Sequence, residues 1–172
     1  MANRSLAASQ STSLHDLANY HRDADAALRL YFTPINPDFV ALFAGERQVE
    51  VDEKLADRIL ETDLRSALAV MAGVEAAFRL DYLWRRNAKK ADAVSIAFRR
   101  QRRTNVRLDE DILETWKVNH PQMRRLISEL RGAFRFRHWL AHGRYWRVGQ
   151  KYDFESLYVL AEEVLARFPL YS

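Results

Sequence analysis

A chain of 172 residues with 48% hydrophobic and 29% charged residues has the length and proportions of one globular domain with a real core. The absence of Cys excludes disulfides, thiolate zinc sites and Cys nucleophiles, and 5 Gly with 4 Pro argue against a turn-rich all-β fold. No apolar run reaches the roughly 18 residues that a membrane span needs, and "MANRSLAASQSTS" has no continuous apolar signal core. The expectation is a cytoplasmic protein without a membrane partner.

In chain order, residues 1–12 read as a flexible lead and residues 13–172 as a single domain. Ser13 with Asp16 three residues on makes a capping-box start. Leu17, Tyr20, Ala24, Ala27, Leu28 and Tyr31 then recur at helical spacing. "TPINP" ends that helix; "PDFVALF" is a short second one with Gly45 past its end. Asp52 is the expected N-cap of a long third segment, which Thr62-Asp63 is expected to divide. Its second part carries Leu64, Leu68, Met71, Phe78 and Tyr82 on an apolar face that also holds Glu75. That carboxylate is either paired or part of a site.

"AKKADAVSIAFRRQRRTNVRL" reads as a basic arm, helical in part. "DEDILETW" is a short helix with acids in its first turn, where they suit the helix dipole. Asn119 or His120 before Pro121 opens the next helix, "PQMRRLISELRGAFRFRHWLAH", which Gly132 is expected to bend or split and Gly143 to cap. "RYWRVGQKY" alone has strand character. Asp153 caps a last helix that stops at Pro169. The sum is an all-α bundle of about five principal helices.

Charge is unevenly spread. Residues 1–78 hold 7 basic and 12 acidic side chains, residues 79–147 hold 18 and 7, and residues 148–172 hold 2 and 4. A basic, Arg-rich middle suits a polyanion; the alternative for any one cluster, "RRQRR" included, is a solvated face.

The densest chemistry is "RHWLAHGRYW", residues 137–146. On a helix, His138 and His142 share a face with Arg135 and Arg131, while Arg137 lies to one side with a side chain long enough to swing toward them. His142 falls at the helix C-terminus, where the dipole favours imidazolium and nearby arginines oppose it, a setting that suits proton transfer. Trp139, Leu140 and Ala141 read as packing, against a second subunit on one side. The H-x3-H pair lacks a third ligand on its own helix, so no metal site is expected.

This segment resembles the R-x4–6-H motif of the HEPN superfamily, and in detail its abortive-infection (Abi-like) branch, with His138 where Asn is frequent. "DLRSALAVMAGVEAAFRLDYLWR" is similar to the branch's upstream helix, with Glu75 as its internal acid. The resemblance covers about residues 55–147. It implies a HEPN-like up-and-down helical bundle and a metal-independent endoribonuclease of toxin or phage-defence type, without cofactor. Such a protein is a homodimer in which two Arg–His pairs share a cleft, and a cognate antitoxin is a further expected partner. His142 would move the proton of a ribose 2′-OH or of the leaving oxygen, Arg137 would hold the phosphate, and His138 would orient the site. Helix geometry adds Arg135 and Arg131 as phosphate neighbours; Tyr145 and Trp146 are candidates to stack on bases, Arg144 is a further RNA contact, and Glu75 is a candidate supporting residue. Two other readings stand beside it. One is a non-catalytic module that binds RNA, a nucleotide or a partner protein. The other is a structural bundle whose Arg–His pair only packs.

Overall fold

The computed structural model describes residues 13–101, 105–143, 147, 149 and 151–171, and among these every regular element is helical. There are seven α-helices: α1 (Leu14–Tyr31), α2 (Phe39–Leu42), α3 (Gln48–Asn87), α4 (Ala93–Arg100), α5 (Glu114–Asn119), α6 (Arg124–Ala141) and α7 (Phe154–Arg167). A π-helical turn, Leu108–Leu113, leads into α5, and a 3-10 turn, Pro121–Met123, leads into α6.

Local chemistry sets most of the ends. The Asp16 N–H donates to Ser13 Oγ at 3.1 Å while Asp16 Oδ2 accepts the Ser13 N–H at 3.2 Å, closing the expected capping box. Asp92 and Asp153 cap α4 and α7 by accepting the N–H groups of Ser95 and Ser156. Gly45 and Gly143 follow helix ends with φ of +80° and +86°, the left-handed region that Gly enters without strain.

Three expected boundaries are corrected. The third helix begins four residues before Asp52: Arg47 is the N-cap, and Glu50 reaches back to accept the Arg47 N–H at 2.8 Å. Thr62-Asp63 does not divide it. Asp63 is half-buried on an unbroken helix and its carboxylate accepts the Phe154 N–H at 3.1 Å, thereby fastening the start of α7. Burial pushes the Asp63 carboxyl upward, and the Phe154 N–H opposes that. Gly132 lies within α6, which continues without a break. Residues 144–146, 148 and 150 of the strand-like stretch lie outside the described residues, as do residues 1–12.

Helix α3 has 40 residues, about 60 Å at 1.5 Å per residue, and α1, α4, α6, α7 and the π-helical turn pack along it. The core gathers around its second half: Met71, Val74 and Phe78 meet Trp116, Ile127, Leu130 and Phe136, with Leu157, Ala161 and Val164 of α7 completing it. Among the buried polar residues, Asp81, Arg85 and Ser95 form a cluster. Arg85 donates from Nε to Asp81 at 2.8 and 2.9 Å, from Nη1 to Asp92 at 3.0 Å and from Nη2 to the Pro169 carbonyl at 2.6 Å, and its guanidinium lies over the Trp116 ring. Asp81 also accepts the Tyr171 N–H at 2.9 Å. Burial pushes the Asp81 carboxyl upward, against the pull of the Tyr171 N–H and of Arg85. The cluster ties α3, α4 and the end of the chain together.

Candidate functional site

Helix α6 carries the site because its sequence has two kinds of face. Leu126, Ile127, Leu130, Ala133, Phe136 and Leu140 recur at helical spacing and are buried. The residues between them are left at or near the surface. Arg135, His138 and His142 are exposed on one face, as their spacing predicts. The two imidazoles stand 4.2 Å apart between ring centres, tilted by 49°. The His142 N–H donates to the His138 carbonyl at 3.1 Å, so His142 closes the last turn just before Gly143.

Arg137 points elsewhere. Set off from the histidine face by the helical period, it turns toward α3, where its Nη2 lies 3.5 Å from Glu75 Oε2. Its side chain keeps 31% exposure, yet its Nε is buried without a hydrogen-bond partner. The other Glu75 oxygen accepts from Arg79 Nε at 2.7 Å, and Arg79 Nη1 donates weakly to the Val106 carbonyl at 3.4 Å. Glu75 therefore stands between two guanidiniums. The long Arg137–Glu75 contact leaves the partly exposed end of the guanidinium only loosely engaged, and a guanidinium of that kind suits an anion.

Arg131 does not join this group, and its expected role as a phosphate neighbour is corrected. Its Nη2 donates to Glu114 Oε2 at 2.7 Å and to the Asp109 carbonyl at 3.2 Å, and its Nε pairs with the Asp109 carboxylate. Two carboxylates neutralise it, so it fastens α6 to the turn before α5. The Arg131 hydrogen bond holds the Glu114 carboxyl below its ordinary range. Arg135 stays on the surface near Tyr152, whose hydroxyl burial pushes upward while the Arg135 charge pulls it back. Arg144, Tyr145 and Trp146 lie outside the described residues.

The packing of the intervening residues also differs in part from expectation. Leu140 is buried in the chain's own core, and Trp139 stacks on Phe136 at 5.6 Å between ring centres. Trp139 is half-buried and Ala141 is exposed. Among the described residues no three His, Cys, Asp or Glu side chains gather as a metal would need, and no helix is long and apolar enough to cross a membrane.

Two features escaped the sequence reading. Arg79 shares Glu75 with Arg137, and its signal was the i,i+4 spacing from Glu75. His21 of α1 places Nδ1 3.1 Å from Ser66 Oγ and stacks on Phe154 at 4.0 Å, joining α1, α3 and α7. No local spacing points to that contact, which spans 45 residues. Comparison with known proteins adds no relative: no family model, curated protein or solved structure matches the chain.

Proposed function

We propose that the chain is a metal-independent endoribonuclease of the HEPN type, acting as a homodimer in defence or toxin biology. The observation that carries the reading is the pairing of His138 with His142 at the end of α6; Arg137, on the same helix, lies off that face against Glu75 of α3. Imidazoles move protons near neutral pH, and a guanidinium with spare donors suits a phosphate.

The step balances without a metal. His142 takes the proton from a ribose 2′-OH as O2′ attacks phosphorus. The P–O5′ bond breaks, and the leaving oxygen takes a proton from an imidazolium, which a second subunit's motif can supply. The products are a 2′,3′-cyclic phosphate and a 5′-OH end. Arg137 holds the non-bridging oxygens as their charge grows, and His138 orients His142. Binding of the phosphate competes with Glu75 for Arg137.

That same Glu75 contact favours a second reading, a non-catalytic module that binds RNA, a nucleotide or a partner protein such as an antitoxin, because a carboxylate already faces Arg137. Incubation of the protein with total RNA in EDTA separates the two. The ribonuclease reading expects cleavage to survive chelation. It expects His142→Ala to lower the rate by about 10² to 10⁴ and Arg137→Ala by about 10² to 10³. Tight RNA binding with intact RNA establishes the module instead.

A further inference from the structure

The C-terminal end of α3 carries a group of side chains that the histidine site does not use. Trp84 and Tyr171 stack face to face, their ring centres 4.0 Å apart and their planes within 9°. Lys90 Nζ lies over the Trp84 ring, 4.5 Å from its centre. A ring stacked at 4.0 Å leaves no room for an ammonium on its own side, so Lys90 covers the other face of the indole. Tyr171 ends the stack: it is 44% exposed, and among the described residues no other ring lies on it. The backbone fixes the chain end that carries it. The Pro169 carbonyl accepts from Arg85, the Tyr171 N–H donates to Asp81, and Phe168 is buried against Phe78 and Trp116. The tyrosine ring is therefore presented at the surface on a firm anchor.

Charge beside the ring is one-sided. Residues 82–101 hold 6 basic side chains and 1 acidic one. That acid, Asp92, is taken by Arg85 and Ser95. Lys89, Lys90 and Arg99 are exposed. Arg99 donates to the carbonyls of Ala88 and Lys90 at 2.7 and 2.5 Å, which brings its guanidinium to the turn that holds the two lysines. None of the three faces a carboxylate among the described residues. The cations that follow are different: Arg107, Lys117 and Arg131 are each paired with an acid. A flat exposed ring beside uncompensated cations matches the two needs of a single-stranded nucleic acid, a surface for a base and charge for its phosphates. An open ring face also suits a strand, which adds successive bases and phosphates, better than a lone nucleotide, which needs an enclosing pocket.

We propose that this end of α3 is a binding platform for single-stranded nucleic acid. A base stacks on the outer face of Tyr171, and Lys89, Lys90 and Arg99 take the flanking phosphates. Trp84 lies nine residues beyond Glu75, about two and a half helical turns. The platform is thus about 14 Å along α3 from the Arg137 contact and on the opposite side of the helix. It is a second contact surface, separate from the histidine site, and it stands without the ribonuclease reading.

Fluorescence anisotropy of a short labelled oligouridine tests it, in EDTA and on the His142→Ala background so that the strand stays intact. Tyr171→Ala is expected to weaken binding by about tenfold. It keeps the backbone N–H that Asp81 accepts, so its helical circular dichroism is expected to be unchanged. Tyr171→Phe, which retains the flat ring, is expected to bind as its parent does. Lys89→Ala and Lys90→Ala are each expected to lower the slope of log affinity against log salt by about 0.7. Oligothymidine of the same length separates the two kinds of strand: equal binding makes the platform general for single strands, and weaker binding makes it a site for RNA. No binding of either strand, parent-like binding by Tyr171→Ala, an unchanged salt slope in both lysine variants, or tighter binding of duplex RNA overturns the platform. The outcome is separable from the enzymatic reading. A wild type that leaves RNA intact but binds it through Tyr171 keeps the platform and loses the ribonuclease; one that cleaves while binding is indifferent to Tyr171 does the reverse.

Discussion

Arg85 and Arg137 are two arginines facing carboxylates on the same helix, and the structure treats them in opposite ways. Arg85 is enclosed, with Asp81, Asp92 and a backbone carbonyl satisfying its donors and the Trp116 ring against its face. Arg137 is partly open, with one carboxylate at 3.5 Å and an Nε that has no hydrogen-bond partner. Arg85 has its donors used in holding the fold, and Arg137 is the less fully engaged of the two. The contrast separates a fold-holding site from a candidate working site within one chain.

The largest break in that comparison comes at Asp81. Removing one partner of a buried ion pair strands the other charge, so Asp81→Ala is expected to cost about 3 to 5 kcal/mol in urea unfolding. Asp63→Ala frees the Phe154 N–H at the start of α7 and is expected to cost about 1 kcal/mol by the same measurement, in the range of a lost helix cap. Arg137→Ala removes one long, partly exposed contact and is expected to change stability by less than about 1 kcal/mol, while RNA cleavage falls sharply. Glu75→Gln sharpens the contrast further. With the competing charge gone, filter binding of single-stranded RNA is expected to tighten severalfold.

The smallest effect concerns pH at Arg131. The Glu114 carboxyl is held below its ordinary range in the folded chain by Arg131. The stabilisation is therefore present above the unfolded value and lost as pH falls through the folded one. Thermal unfolding between neutral and acid pH should show a slightly shallower acid loss in Glu114→Gln. The effect is a few tenths of a kcal/mol, since Glu114 is 41% exposed and solvent screens the pair.

Features set by neighbours in sequence were legible. The Ser13–Asp16 box, the Asp153 cap, Gly143 after α6 and the shared face of His138 and His142 all follow from short spacings. Features set by distant partners were not. Asp63 looked like a helix breaker because its task, the Phe154 N–H, lies 91 residues away. Arg131 lay in phase with the histidines, but Glu114, 17 residues back, takes it. The Asp81–Arg85 pair had a visible i,i+4 spacing, yet only the packing of Trp116 and Pro169 around it shows that it is interior. Glu75 was singled out as an acid on an apolar face, and the structure gives it Arg79 and Arg137 as partners.

The central claim is that Arg137 is held for a ligand and not for the fold. The most direct measurement sets the thermal midpoint of Arg137→Ala beside its cleavage of single-stranded RNA in EDTA, with the wild type as reference. The account predicts a midpoint within about 4 °C of wild type, the shift that a kcal/mol or less produces in a chain of this size, and cleavage reduced at least a hundredfold. A large fall in the midpoint with RNA processing unchanged would contradict it.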